Sequence, residues 1–367
     1  MGGIYVKILP LELQEGIFSE CWSSYIVAAA LPHEGTRPWF LERFVDFYVP
    51  EDLAAVYYQN DPLFGPFADY DEILEYESID WQRGDLISLL IDRIDNDRYI
   101  MISCLSQGYL HEIMLVGYDE SSFYYYRPAS DHGEVLTIPY SELWSSFACA
   151  VEAYAADPAS QRSVLYHHLP LSCFHIKEVH ERPIRMERIE GAVFEMAATD
   201  AHVRALSGSN QKGEYFYHGD GLYVLMKRII RSIADGTDEE WALSRSIKVL
   251  KKLQEARLGL TKRLSYCQQD WDIVLDRALM SQYDEMIKRI ALCRCYLMKF
   301  EIARERRYLF QAIDLLDDIC RRDSYCLNRT LLALRKGVND VFAEQVNSMA
   351  ELCRKPQSSC ASWRRIR

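Results

Sequence analysis

The stretch "SECWSSYIVAAALP" (19–32) sets one cysteine where hydroxyls and acids give way to an unbroken apolar run. The run predicts a buried helix through Ala30, and Ser19 reads as its N-cap, so Cys21 falls in the first turn. Free N–H groups and the positive end of the helix dipole favour a thiolate there. Such a thiolate attacks carbonyl carbon, and a first-turn N–H can steady the resulting oxyanion. The chemistry also needs a proton carrier, and His111 is the candidate. It opens a β-rich run directly after the turn "SQGYL", at a strand end that can face a helix. The competing readings are an inert core cysteine and a histidine bonded to a backbone carbonyl.

The other thiols give Cys21 no obvious rival. There are 11 cysteines, an odd number, scattered and without C-x-x-C, which argues against a disulfide framework or a zinc knuckle. Cys293 and Cys295 are two apart in a helical segment and point to different faces. His167, His168, His175 and His180 lack metal-ligand spacing, so no metal and no resident cofactor is expected. "HGDG" (218–221) reads as a loop-to-helix turn rather than a phosphate cradle.

Elements to position this chemistry follow from pattern. The segment "WQRGDLISLLIDRI" reads as helix. The runs 98–106, 111–119 and 122–128 read as antiparallel strands broken by "QG" and "DESS". A short helix over 140–147 follows, with Ser141 as its cap. From about residue 221 the chain reads as a helical bundle. Leu279, Tyr283, Met286, Ile290, Cys293, Leu297 and Phe300 alternate by four and three, one apolar stripe. The fold class expected is therefore α+β followed by all-α, with residues 1–158, 164–353 and a basic flexible tail 354–367 as its parts.

Charge divides at the same place. Residues 1–160 carry 27 acids and 7 bases, net −20, whereas 161–367 carry 27 acids and 35 bases, net +8. The acidic half speaks against nucleic acid as a partner. No signal peptide, myristoylation pattern or membrane-length apolar run is present, so a cytoplasmic protein without membrane contact is expected.

The order Cys-helix, strand, "H-x(5)-GYD", hairpin, short helix resembles the papain-like cysteine enzymes. Within them, "CWSSYIVAAALP" and "HEIMLVGYDESSFYYYRPASDHGEVLTIPYSELW" resemble the N-terminal domain of the butirosin biosynthesis protein H family and, more distantly, C39-type peptidases. "YHGDGLYVLMKRII" is similar to the start of that family's second region. The resemblance implies a papain-like (C39-like) domain over roughly residues 10–150. It also implies a catalytic Cys21 and His111, with Gln14 near the position of an oxyanion donor. Where C39-type enzymes carry an acid before a proline, this chain has Arg127 in "YYRP". Either Cys21 and His111 act as a dyad, or Asp119 or Asp131 replaces that acid.

The implied function is acyl transfer in specialised-metabolite biosynthesis. An acyl carrier protein brings a thioester on its phosphopantetheine arm, Cys21 takes the acyl group, and an amine-bearing small molecule or peptide accepts it. Hydrolysis by a peptidase or thioesterase, and a non-catalytic binding module, are the alternatives. The positive second half, with Lys248, Lys251 and Lys252 as one basic patch, is the expected docking surface for an acidic carrier.

Overall fold

The computed structural model describes residues 6–12, 21–53, 56–58, 68–83, 85–106, 109–128, 133–156, 170–197, 203–205, 215–237, 240–271, 273 and 275–354. Its first half is built on an antiparallel sheet. In chain order the first elements are β1 (Lys7–Ile8), α1 (Cys21–Ala30), α2 (Thr36–Leu41), β2 (Phe47–Pro50) and β3 (Tyr57–Tyr58). Next come α3 (Ala68–Asp71), β4 (Leu74–Ser78), α4 (Leu86–Asp95), β5 (Tyr99–Ser106), β6 (Tyr109–Tyr118), β7 (Ser122–Pro128), β8 (Gly133–Pro139) and α5 (Tyr140–Ala156). The expected strands 98–106, 111–119 and 122–128 are thus β5, β6 and β7.

Sheet order is β4-β9-β5-β6-β7-β8, where β9 is Leu171–Ile176, and β1 adds to β6. A bulge interrupts β6 against β7 between Leu115 and Gly117. There β1 crosses so closely that a Cβ on Gly117 would lie 2.2 Å from the Lys7 carbonyl oxygen. The glycine of the "GYD" motif is therefore required by packing.

Helices cover both faces of the sheet. On one face lies α1: Tyr25 packs edge-on to Tyr126 of β7, and Ser24 Oγ sits 3.2 Å from the Tyr126 hydroxyl. Tyr99 of β5 donates to the Pro10 carbonyl on that side. On the other face lie α4 and the part of α5 around Ser146, while Tyr154 near the end of α5 reaches Ser103 on the α1 face. Asp85 caps α4 by accepting from the Ser88 N–H, and Leu86, Leu90 and Ile94 recur at four-residue spacing to meet the sheet. In α5 the expected cap, Ser141, lies inside the first turn, because β8 runs straight into the helix at Tyr140. The Tyr140 N–H is satisfied by the Ser121 carbonyl instead.

The second half contains α6 (Met186–Ala197), β10 (Val203–Ala205), β11 (Tyr215–Tyr217), α7 (Gly219–Asp235), α8 (Glu240–Asp270), α9 (Arg277–Ala303) and α10 (Arg307–Arg354). All seven residues of the predicted stripe are buried on α9. Arg257 of α8 and Asp323 of α10 form a buried bidentate pair, both bonds 2.7 Å, and the Tyr223 hydroxyl of α7 donates to the same carboxylate.

A boundary at 158–164 does not separate the strands. β9, expected inside the helical part, is buried almost throughout and inserts between β4 and β5; β11 pairs with β2 in a second sheet of order β10-β11-β2-β3. Charge explains part of this union. Arg182 and Arg185 hold the buried Glu42 and reach Glu72, Arg228 meets Glu51, and Arg263 donates to the Leu41 and Arg43 carbonyls. Much of the positive excess of one half is neutralised by the other. The proposed lysine patch also fails as a surface: Lys248 is exposed, Lys251 lies 3.7 Å from Glu255, and Lys252 is buried. Of the tail, only Arg354 is among the described residues. No described helix is long and apolar enough to cross a membrane.

Candidate functional site

The α1 helix spans Cys21–Ala30, and the predicted cap Ser19 lies outside the described residues. The Cys21 side chain lies outside them too, as do Gln14 and Asp131. The neighbourhood of the helix start is nevertheless fixed from the next turn. Ser24 and Tyr25 stand three and four residues on, which is the same helix face as position 21. Tyr25 reaches the sheet there, its hydroxyl donating to the Glu112 backbone carbonyl at 2.6 Å. Position 21 is thus held one helical turn from the opening of β6, and His111 is the residue immediately before Glu112.

Strand alternation then decides which side chain faces α1. Met114 of β6 pairs with Tyr126, the residue that touches Ser24 and Tyr25, so Met114 shares the α1 face. Counting back by two, Glu112 belongs to that face as well. His111 pairs with Cys104 of β5, on the face where Ser146 of α5 approaches Cys104. The direct line from α1 to β6 therefore meets Glu112, while His111 stands beside it on the reverse face.

The two side chains differ in electrostatics. His111 is exposed over much of its surface, yet desolvation by the adjoining protein lowers its pKa, so the neutral imidazole dominates at pH 7. Burial pushes the Glu112 carboxyl up to about 7. Its strand partner Ser103 is fully buried, with Oγ 3.4 Å from the Tyr154 hydroxyl. A carboxyl titrating near neutrality beside hydroxyls can give or take a proton at working pH. Sequence reasoning missed Glu112 because both alternating sets in "HEIMLVGY" are apolar beyond their first members. The pattern cannot say which set faces the helix.

The remaining expectations resolve differently. Asp119 serves its turn, accepting from the Ser121 and Ser122 N–H groups and the Tyr124 hydroxyl; these bonds, Ser121 first, keep its pKa low. Arg127 is paired across the strands with Glu134, Nε to Oε1 2.9 Å, so the position before the proline carries a neutralised ion pair. The turn "HGDG" does open α7. His218 precedes the helix, its Nδ1 3.0 Å from Asp46 in a buried pair that ties the helix to β2. His175 lies on β9 against Glu75, 3.3 Å away, and no group of three or more potential metal ligands occurs among the described residues.

Comparison with known proteins adds no assignment. No protein-family model matches this chain, and no curated protein matches it.

Proposed function

We propose that this protein is a cysteine-dependent acyltransferase whose first half is papain-like, with Cys21 as nucleophile. The observation that carries the reading is the tether between α1 and β6. The helix that opens at Cys21 is bound at Tyr25 to Glu112, next to His111. In the proposed cycle the Cys21 thiolate attacks the thioester carbonyl of a carrier-borne acyl group. The tetrahedral intermediate collapses, expelling the pantetheine thiolate, which takes up a proton, and leaves an acyl-Cys21 thioester. An amine then attacks that carbonyl, loses a proton to the enzyme's base, and departs as the amide while Cys21 is regenerated.

The opening of β6 supplies the base. The family resemblance assigns His111. Strand alternation favours a second reading in which Glu112, on the α1 face, carries the proton.

Intact mass spectrometry tests the nucleophile: incubation with an N-acetylcysteamine acyl thioester should add one acyl mass, lost in Cys21→Ser. An adduct that survives Cys21→Ser refutes the assignment. Side-by-side rates for His111→Ala and Glu112→Gln test the base. A fall of about 10²–10⁴ is expected in one of them, the usual worth of a positioned acid–base group. Loss confined to His111→Ala keeps the histidine, and loss confined to Glu112→Gln moves the role to the carboxyl. If neither falls, proton transfer from β6 is wrong. With a free amine present, an amide product marks transfer, and an acid product marks hydrolysis.

A further inference from the structure

A second site lies at the opposite end of α1. The ten residues of that helix rise about 15 Å, so what lines its C-terminal end is well removed from position 21. There a cavity of about 710 Å³ opens between the α1 exit, the first turn of α2, the 181–184 segment and Tyr266 of α8. That volume is in the range of small-molecule sites, roughly 300–1,000 Å³.

The cavity is rigidly built. Pro32, Pro38 and Pro183 line it, and each has a fixed φ. Gly35, also in the wall, adopts φ +84°, and a Cβ there would lie 2.2 Å from the Val179 carbonyl oxygen. The loop is thus pressed against the 179–184 segment, and the cavity exists without ligand-induced folding.

Its polar groups fall into two sets. The arginines are engaged: Arg37 donates to the Tyr266 hydroxyl at 3.0 Å and lies 3.8 Å from Glu12, and Arg182 is bound to Glu42 and Glu72. Glu34 and Glu181 are exposed, and no described residue forms an ion pair with either. His33 also lines the cavity, and its Nε2 is buried without a hydrogen-bond partner among the described residues. Burial lowers the His33 pKa, leaving a neutral ring that does not repel a cation. The carbonyl end of α1 adds the negative pole of its dipole.

We propose that this cavity binds a small organic cation, a primary ammonium on an aromatic or aliphatic body. Glu34 and Glu181 would neutralise the charge, and the proline walls with Tyr266 would hold the body. The proposal is independent of the chemistry at Cys21.

Isothermal titration calorimetry on the full chain tests it with three probes of one shape: 2-phenylethylamine, 2-phenylethanol and phenylacetate. The amine should bind at least about 10-fold more tightly than the alcohol, and phenylacetate should be weakest, as expected for charge complementarity in a partly desolvated site. Glu34→Gln with Glu181→Gln should abolish the preference for the amine. Both residues are exposed, and unchanged circular dichroism would confirm folding. Equal binding of amine and alcohol overturns the proposal. So does a preference for phenylacetate, no heat with any probe up to about 10 mM, or an amine preference indifferent to the double substitution.

Discussion

The Tyr25 hydroxyl donates to the Glu112 carbonyl across 2.6 Å, joining the second turn of α1 to the opening of β6. That bond fixes where position 21 stands relative to two titratable residues near that strand end, His111 and Glu112. It should be measurable as stability. Tyr25→Phe keeps the edge contact with Tyr126 and removes one buried hydrogen bond, so urea unfolding should show a loss of about 1–2 kcal/mol. A loss below a few tenths would mean that the other contacts of α1 hold it in place without this bond.

Glu112 makes a pH prediction whose sign follows from its environment. Burial raises its folded-state pKa from an ordinary 4.5 to about 7. Between those values the folded protein binds a proton that the unfolded chain has released. The stability this confers is complete below about pH 4.5 and is lost as pH rises through 7. Glu112→Gln removes the penalty of the buried charge. The variant should therefore match the parent near pH 4.5 to within about half a kcal/mol and exceed it at pH 8 by at most about 3 kcal/mol, less where solvent reaches the carboxyl. Denaturant curves at the two pH values check this, and a pH-independent difference would show that Glu112 is not desolvated.

How much of this was legible beforehand depended on whether the pattern was one-sided. The α9 stripe was readable to the residue because each member is apolar and the faces between them are polar. β5, β6 and β7 were readable from β-rich runs between turns. β4 and β9 were missed, although "LEYES" alternates apolar and acidic residues. β9 follows a polar linker and joins strands roughly seventy and a hundred residues earlier, a pairing no local signal encodes. The α1 helix through Ala30 was legible, but the facing side chain was not, because the face of β6 is set by Tyr126 on another strand. The lysine patch failed for a related reason: Lys252 sits on a face of α8 that only the packed bundle shows to be internal.

Burial suppresses the reactivity of most described cysteines. Burial pushes Cys104 and Cys173 up to about 11 and Cys293, Cys320 and Cys326 up to about 12. At pH 7 a thiol titrating at 11 is about one part in 10⁴ ionised. Cys267 is buried as well, while Cys149 and Cys295 are exposed. With substoichiometric iodoacetamide at pH 7, peptide mapping should find Cys21 labelled first, then Cys149 and Cys295, with the buried set untouched. If Cys149 or Cys295 is labelled ahead of Cys21, the helix start does not activate the thiol and the nucleophile assignment falls.

The helical half should owe its arrangement to one buried charge pair. Arg257 and Asp323 are almost wholly inaccessible, joined by two 2.7 Å bonds, and the Tyr223 hydroxyl occupies the same carboxylate at 2.7 Å. Through these bonds α7, α8 and α10 share one point. Taking two charges out of water is costly, and the pair offsets that cost only while both members are present. Asp323→Asn keeps the shape but leaves a guanidinium buried without its counter-charge, so it should cost about 3–5 kcal/mol. Tyr223→Phe removes one hydrogen bond to a charged acceptor and should cost about 1.5–3 kcal/mol. The apolar double variant Arg257→Met with Asp323→Leu leaves no unpaired charge, and it should recover most of what Asp323→Asn loses. A double-mutant cycle by urea unfolding reads all three quantities. If Asp323→Asn and the double variant are equally destabilised, the loss comes from packing around α10 rather than from the orphaned arginine.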